Sequence, residues 1–260
     1  IRFGYGVTGN NDFSATYMAN MLGSDTNWMM PNGTWAYSYG KSQNVNPNLG
    51  WEEKKEWNLG VDYSFFEGRL YGKFDYYRRE VDNLLFSVKV PQPPYTQGSQ
   101  MQNIGSMESK GWEFEVGGDI IRTKDFTWSS SMNLSHNTGK ILTLEGDNSY
   151  HNGNGFVAPG TPGDAARMEA GSTIGSFYMW KFAGFDDDGS FLLYNKDGEV
   201  IPAAQKTEND KQYIGNYTPK LIIGWSHTLT YKNFDLGINL RSWIDFDVYN
   251  TINMYYGIQG

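Results

Sequence analysis

The sequence predicts an all-β fold built from long antiparallel strands. Three observations predict it: residues alternate between apolar and polar in six segments, glycine and aromatic residues are abundant, and no long apolar run is present. The chain has 260 residues, of which 31 are glycine and 16% are aromatic. A period of two is typical of strands with two unlike faces, whereas an amphipathic helix repeats every 3.6 residues.

The alternating segments are 57–65, 70–77, 112–120, 126–135, 221–231 and 234–241, with residues 1–7 as a weaker seventh. In the first of them, Trp57, Leu59 and Val61 alternate with polar or small residues. One face of the six segments carries no Asp, Glu, Lys or Arg. The opposite face carries eight charged residues: Asp62, Lys73, Asp75, Glu113, Glu115, Asp119, Asp235 and Arg241.

Two architectures produce this alternation. A soluble β-sandwich buries its apolar face, whereas a membrane β-barrel turns that face to lipid and its polar face to the lumen. The connections favour the barrel, because very short turns alternate with long connections at about 8–55, 81–109 and 139–218. All long connections then emerge on one side, as extracellular loops of outer-membrane barrels do. The predicted fold is therefore a transmembrane antiparallel β-barrel segment of about seven strands, with the eight charges lining its lumen.

Other functions are disfavoured by composition. The net charge of −8 lacks the basic footprint of a nucleic-acid-binding protein. The absence of cysteine excludes disulfides and thiolate zinc sites. The three histidines of the chain are scattered, and the sequence has no Gly-x-Ser-x-Gly nucleophile elbow. We therefore predict neither an enzyme nor a cofactor. Asp186 and Asp188 form a weak calcium candidate, but their spacing does not match an EF-hand loop, and a surface turn is the simpler interpretation.

The first long loop contains several aromatic residues interspersed with Asn, Ser and Gly. Trp28, Trp35, Tyr37 and Tyr39 are the candidate binding residues there. Such side chains can pack into a core of the loop itself, bury the surface of a partner protein, or stack on a substrate. The sequence leaves these three alternatives open.

Several motifs together resemble one family. They are Asn-Pro-Asn-Leu-Gly-Trp-Glu at 46–52, Asn-Leu-Gly-Val-Asp-Tyr at 58–63, Asn-Ile-Gly-Ser-Met at 103–107, Lys-Gly-Trp-Glu at 110–113 and Ile-Gly-Asn at 214–216. This set resembles the SusC/RagA family of TonB-linked outer-membrane transporters of Bacteroidetes-type bacteria. Residues 1–260 match only the later part of the barrel, without the plug domain and terminal strands.

The resemblance implies a larger barrel of about 22 strands in the bacterial outer membrane. It implies import of oligosaccharides or peptides, with TonB acting through the plug domain and a SusD-like surface lipoprotein as partner. This chain would supply barrel wall and extracellular loops in contact with outer-membrane lipid. The alternatives are a siderophore- or cobalamin-type transporter, a structural barrel component without transport, and a soluble β-rich carbohydrate-binding module.

Overall fold

The computed structural model describes residues 1–10, 15–19, 21–144, 150–152 and 165–250. Seven strands form one antiparallel sheet, in which every strand pairs with the next one of the set. We call it the wall sheet. Its strands are β1 (Arg2–Asn10), β2 (Glu52–Phe65), β3 (Leu70–Asp82), β4 (Ser106–Arg122), β5 (Phe126–Thr143), β6 (Leu221–Tyr231) and β7 (Phe234–Ile244).

All seven predicted strands are confirmed, and their register aligns the alternating faces. Phe114 lies between Phe74 and Leu134, and the same face continues across the sheet to β7. We call this the apolar face and its opposite the polar face. Apolar side chains in the wall stay open in the described part of the chain: Val61 is 38% exposed and Phe74 is 40% exposed. In a barrel wall, lipid covers such a face.

Strands β2 to β5 extend past their predicted ends toward the long connections, and β4 also extends by two residues, to Arg122, toward the short turn. Strand β2 begins at Glu52 rather than at 57, and β5 ends at Thr143 rather than at 135. The extensions carry charged or polar residues on both faces, with a few apolar ones such as Ile141, so they show no regular apolar alternation. Backbone pairing and cross-strand ion pairs continue the strands where the sequence pattern stops.

Connections of two lengths alternate along the wall. The short turns lie at one end of the strands, at residues 66–69, 123–125 and 232–233. Their tightness requires left-handed backbone, as at Phe66, Glu67 and Lys232, whose φ values are 56°, 55° and 54°. The long connections lie at the opposite end of the strands, at residues 11–51, 83–105 and 144–220.

The long connections contain their own small elements. A 3₁₀ turn (Ala15–Met18) precedes a hairpin, and a second hairpin occupies the middle connection. In its described residues, the third connection holds two strand pairs, a three-stranded sheet and two 3₁₀ turns. In chain order, the strands are Leu22–Met29, Trp35–Lys41, Leu85–Lys89, Ser99–Asn103, Tyr150–Asn152, Arg167–Glu169, Ser176–Met179, Lys181–Phe185, Phe191–Tyr194, Val200–Pro202 and Gln212–Asn216, with 3₁₀ turns at Ala203–Gln205 and Glu208–Asp210.

Among the described residues, the buried apolar side chains are concentrated near the long connections. They are Leu49, Tyr77, Leu84, Val88, Ile104, Ile141, Ala165 and Phe177. Two of these, Tyr77 and Ile141, lie in wall strands, at the ends that face the long connections. Among the described residues, no helix has the length and apolar character needed to cross a membrane.

Three tyrosines lie over glycines directly across the sheet. Tyr71 is paired with Gly117 and Tyr77 with Gly111. A Cβ added to Gly117 would lie 2.7 Å from the Tyr71 ring, and one added to Gly111 would lie 2.7 Å from the Tyr77 hydroxyl. Tyr63 covers Gly72 in the same way on the apolar face. Glycine at these positions therefore makes room for a tyrosine ring to lie flat on the neighbouring strand.

Candidate lumen wall and loop surfaces

The register brings all eight predicted lumen residues onto the polar face of the wall sheet. One row of cross-strand neighbours runs from Asp62 through Lys73, Glu115 and Asn133 to Gly224 and Arg241. Asp75 and Glu113 face each other in the adjacent row. Asp119 and Asp235 lie nearer the short turns. That this face lines a lumen in the complete protein stays a prediction.

Arg2 holds the first strand to the wall through two carboxylates. Its guanidinium donates to Asp62 at 2.7 Å and 3.1 Å, and to Asp75 at 3.1 Å and 3.2 Å. Gly60 makes this reach possible, since a Cβ there would lie 2.5 Å from Asp75 Oδ1 and 2.9 Å from Arg2 Nη2. Two residues of β2 and β3 are thus bridged by one cation from β1.

Positively and negatively charged side chains line a recess of about 700 Å³ on the polar face. Lys73 and Glu115 form an ion pair at 3.0 Å at one side, and Arg241 lies at the other. Asn133 lies over Gly224 between them. The recess therefore offers donors and acceptors of both charges, which suits a hydrated passage for polar solutes.

At the end of the apolar face nearer the long connections, aromatic side chains give way to charged ones, and this boundary is the upper limit of the face. Below it, Trp57 contacts Tyr76 with ring centroids 5.4 Å apart, and Trp112 contacts His136 with centroids 6.1 Å apart. Such an aromatic row is typical of a membrane interface. In the strand extensions above it, ion pairs join β2 to β3 at Lys55–Asp82 (2.8 Å) and Arg79–Glu56 (3.1 Å). Further pairs lie within one strand, at Lys55–Glu53 (3.2 Å), Lys54–Glu56 (3.0 Å) and Lys110–Glu108 (3.4 Å).

A second aromatic group lies on the apolar face nearer the short turns. Trp128 donates its indole N–H to Nδ1 of His227 at 3.3 Å, and Trp225 donates to the Ser130 hydroxyl at 2.9 Å. The His227 ring packs 4.6 Å from that of Trp225. The indole N–H groups are hydrogen-bonded within the sheet, while the apolar parts of the rings face outward. This arrangement fits the second interface of a membrane wall.

The hairpin Leu22–Met29 and Trp35–Lys41, which we call the aromatic ribbon, carries the four predicted binding residues. Trp35, Tyr37 and Tyr39 project from one face and are 68%, 71% and 70% exposed. Residues two apart on a strand are about 6.8 Å apart, so these rings form a regular row. Trp28 is paired with Ala36 and therefore lies on the other face of the ribbon, 65% exposed.

A buried amide joins the first two long connections. The Asn44 side chain donates to the carbonyls of Gln97 and Ser99 at 2.6 Å and 2.8 Å, and accepts from the backbone N–H groups of Thr96 and Gln97. Gln100 donates to the carbonyl of Val45 at 2.7 Å. The segment after the aromatic ribbon is thereby bonded to the second hairpin.

The acidic turn around Asp186 has a structural use. Asp186 Oδ1 accepts from the backbone N–H groups of Asp188 and Ser190 at 3.1 Å and 2.7 Å. Asn195 closes the next turn in the same way. Within the described ranges, no three His, Cys, Asp or Glu side chains are grouped as a metal site would require.

A buried carboxylate organises the third connection. Asp210 accepts from the Thr207 backbone N–H at 2.8 Å and hydroxyl at 2.7 Å, and from the Lys196 backbone N–H at 3.3 Å. These bonds, the Thr207 hydroxyl first, lower the pKa of Asp210 below its usual value. The 3₁₀ turn Glu208–Asp210 is thereby bonded to the turn that begins at Asn195.

We expect this contact to depend on pH. Because the folded-state pKa of Asp210 is lowered, its stabilising effect is present above the ordinary carboxyl pKa of about 4 and is lost as pH falls below that value. Hydrogen exchange at Lys196 and Thr207, corrected for its intrinsic pH dependence, should quicken on acidification. In Asp210→Asn the acid step should vanish, whereas Asp187→Asn, in an exposed turn, should retain it. The same acid step in Asp210→Asn would contradict this assignment.

Known proteins of one family match this chain over most of its length. A family model described as TonB dependent receptor-like, beta-barrel, matches residues 1–251. The chain belongs to this family. SusC, a TonB-dependent receptor of Bacteroides thetaiotaomicron, is 31% identical over 261 residues, which cover 96% of this chain and 25% of SusC. A TonB-dependent receptor of Formosa agariphila is 34% identical over 222 residues, covering 79% of this chain and 22% of that receptor.

Solved structures agree with the sequence relatives. The RagAB peptide importer in its open-open state has a TM-score of 0.78 and 25% identity, over 94% of this chain and 26% of that one. A further RagAB peptide transporter structure gives 0.75 and 26%, over 92% and 26%. The resemblance to SusC and RagA is confirmed. This TonB-dependent receptor barrel lies in the bacterial outer membrane and spans about a quarter of the length of these relatives.

Proposed function

We propose that this TonB-dependent receptor barrel forms part of an importer of oligosaccharides or peptides that works with a SusD-like lipoprotein. The observation that carries the proposal is the charged polar face joined to long connections that display a row of exposed aromatic rings. The relatives support it, since RagAB is a peptide transporter and SusC a TonB-dependent receptor. The substrate passes without chemical change, and no catalytic role is proposed for Glu113 or Glu115.

Each part of the chain has a task in this proposal. The apolar face contacts lipid, and the polar face forms wall for the passage. The long connections lie on the extracellular side and receive substrate and lipoprotein. TonB acts through a plug domain of the complete transporter.

The experiment uses the full-length transporter in its native host. Uptake of labelled oligosaccharide and peptide pools is measured with and without TonB, and the transporter is purified to identify its bound lipoprotein. We expect TonB-dependent uptake of one of the two pools and a co-purifying SusD-like lipoprotein. Uptake of a ferric siderophore or cobalamin alone would favour the siderophore-type alternative, and no uptake at all would favour the structural one.

The aromatic ribbon supplies a sharper test of substrate contact. Stacking contributes about 0.5–1.5 kcal/mol for each aromatic pair beyond buried area. Replacing Trp35 and Tyr37 together with alanine is therefore expected to weaken substrate binding about tenfold, since 1.4 kcal/mol corresponds to a factor of ten. Isothermal titration with the transported pool measures it.

The ribbon also provides the matched control. Trp28→Ala removes an equally exposed ring from its other face, so binding should change by less than about twofold. Equal losses in both variants would mean that the ribbon's two faces are not distinguished by substrate, which would contradict the assignment.

A further inference from the structure

Three phenylalanines form an exposed cluster on the third long connection, and no sequence pattern had indicated it. Phe182, Phe185 and Phe191, which we call the phenylalanine cluster, are 52%, 59% and 51% exposed. Their ring centroids are 5.0–6.0 Å apart, from Phe185–Phe191 to Phe182–Phe191. They lie on the three-stranded sheet formed by Lys181–Phe185, Phe191–Tyr194 and Val200–Pro202.

A β-bulge brings the three rings to one face. Residues 182 and 185 are three positions apart, so a regular strand would point them to opposite faces. The register shifts between Phe182 and Gly184, which leaves Phe182 opposite Leu193 and Phe185 opposite Phe191. Gly184 has a φ of 136°, a conformation that side chains rarely adopt. Bulges of this kind re-aim a side chain, often beside a functional site.

The surroundings of the cluster are acidic. The turn between Phe185 and Phe191 carries Asp186, Asp187 and Asp188, all exposed. These carboxylates disfavour contact with a phosphate-rich lipid surface. The rings are tilted or edge-on to one another, so they offer no flat platform for a sugar, and phenylalanine has no polar atom to bond its hydroxyls.

We propose that the phenylalanine cluster is a docking surface for a protein partner, the SusD-like lipoprotein, through an apolar pocket bordered by lysine or arginine. Aromatic anchors in the centre of an interface with charge-complementary surroundings are typical of such contacts. This inference rests on the proposed function, because it names a contact of the partner proposed there.

The test measures binding between the purified full-length transporter and its SusD-like lipoprotein by biolayer interferometry. Phe185→Ser with Phe191→Ser is expected to raise the Kd at least tenfold. Asp187→Lys with Asp188→Lys should weaken binding as well, and added salt should weaken the wild-type complex. Val200→Ser is the matched control, since Val200 is 52% exposed and pairs with Tyr194, so it lies on the opposite face of the same sheet.

The outcomes are separable. If the wild type binds the lipoprotein and the phenylalanine variants bind equally well, the docking surface is wrong while the proposed function stands. If the wild type binds no lipoprotein, the partner in the proposed function is wrong and this inference falls with it. If the variants instead abolish a homodimer seen by native mass spectrometry, a second copy occupies the cluster and the inference is overturned. Hydrogen exchange of Lys181–Phe185 verifies that the variants keep the sheet folded.

Discussion

Replacing Met132 with arginine is expected to lower the free energy of unfolding of the barrel by about 2–4 kcal/mol, the cost of a cation on the lipid face near the bilayer midplane. Met132 lies between Val116 and Trp225 on the apolar face of β5. It is near the middle of the span, between the aromatic rows that contain His136 and Trp128. The measurement is denaturant-induced unfolding of the full-length transporter in lipid vesicles.

Its neighbour Ser131 is the control. Ser131 lies on the polar face between Gly117 and Ser226, and Ser131 and Met132 are both half-buried. Ser131→Arg therefore introduces the same side chain at the same depth but toward water, and should cost less than about 1 kcal/mol. Similar losses for the two variants would show that the two faces are not separated by lipid and water.

Alanine in place of Gly111 is the second change with a large expected effect. The added Cβ would collide with the carbonyl oxygen of His136 and lie 2.7 Å from the Tyr77 hydroxyl. Tyr77 is only 8% exposed and carries the Arg79 guanidinium 4.5 Å from its ring centre, so the ring has little room to move. Overpacking of this kind typically costs about 1–3 kcal/mol. Unfolding of the same vesicle-bound transporter measures it.

Two variants show whether the tyrosine is the cause. Gly50→Ala should have little effect, because the nearest atom to a Cβ there, Oδ1 of Asn103, lies 3.9 Å away at an ordinary van der Waals distance. In a Tyr77→Ala background, Gly111→Ala should cost less than it does in the wild type, because the ring that collides is absent. An equal cost of Gly111→Ala in both backgrounds would assign the effect to the His136 carbonyl instead.

The sequence predicts the membrane part of the wall well, for a physical reason. Each wall strand separates two solvents, so its residues alternate, and β6 occupies the predicted span 221–231 without change. The charged extensions of β2 to β5 were not predicted, because both of their faces meet water and alternation disappears. There the strand is maintained by pairs such as Lys55–Asp82, which no period in the sequence reveals.

The candidate binding residues show a similar division. The sequence named Trp28, Trp35, Tyr37 and Tyr39 together as candidate binding residues, and their role in binding stays a prediction. It assigned them no face: Trp35, Tyr37 and Tyr39 share one because residues two apart on a strand do, whereas Trp28 is paired with Ala36 and lies on the other. The phenylalanine cluster was missed for a related reason, because a bulge decides which rings meet.

The location of the buried side chains implies that wall and loops are stabilised by different media. Leu49, Val88, Ile104 and Phe177 are removed from water by protein, as in any small soluble domain. The apolar face of the wall is instead covered only by what surrounds it. Bilayer thickness and acyl-chain composition therefore act on the strands, while urea and temperature act first on the long connections. A transporter extracted into detergent can thus retain correctly folded loops even though detergent has replaced the lipid around its wall strands.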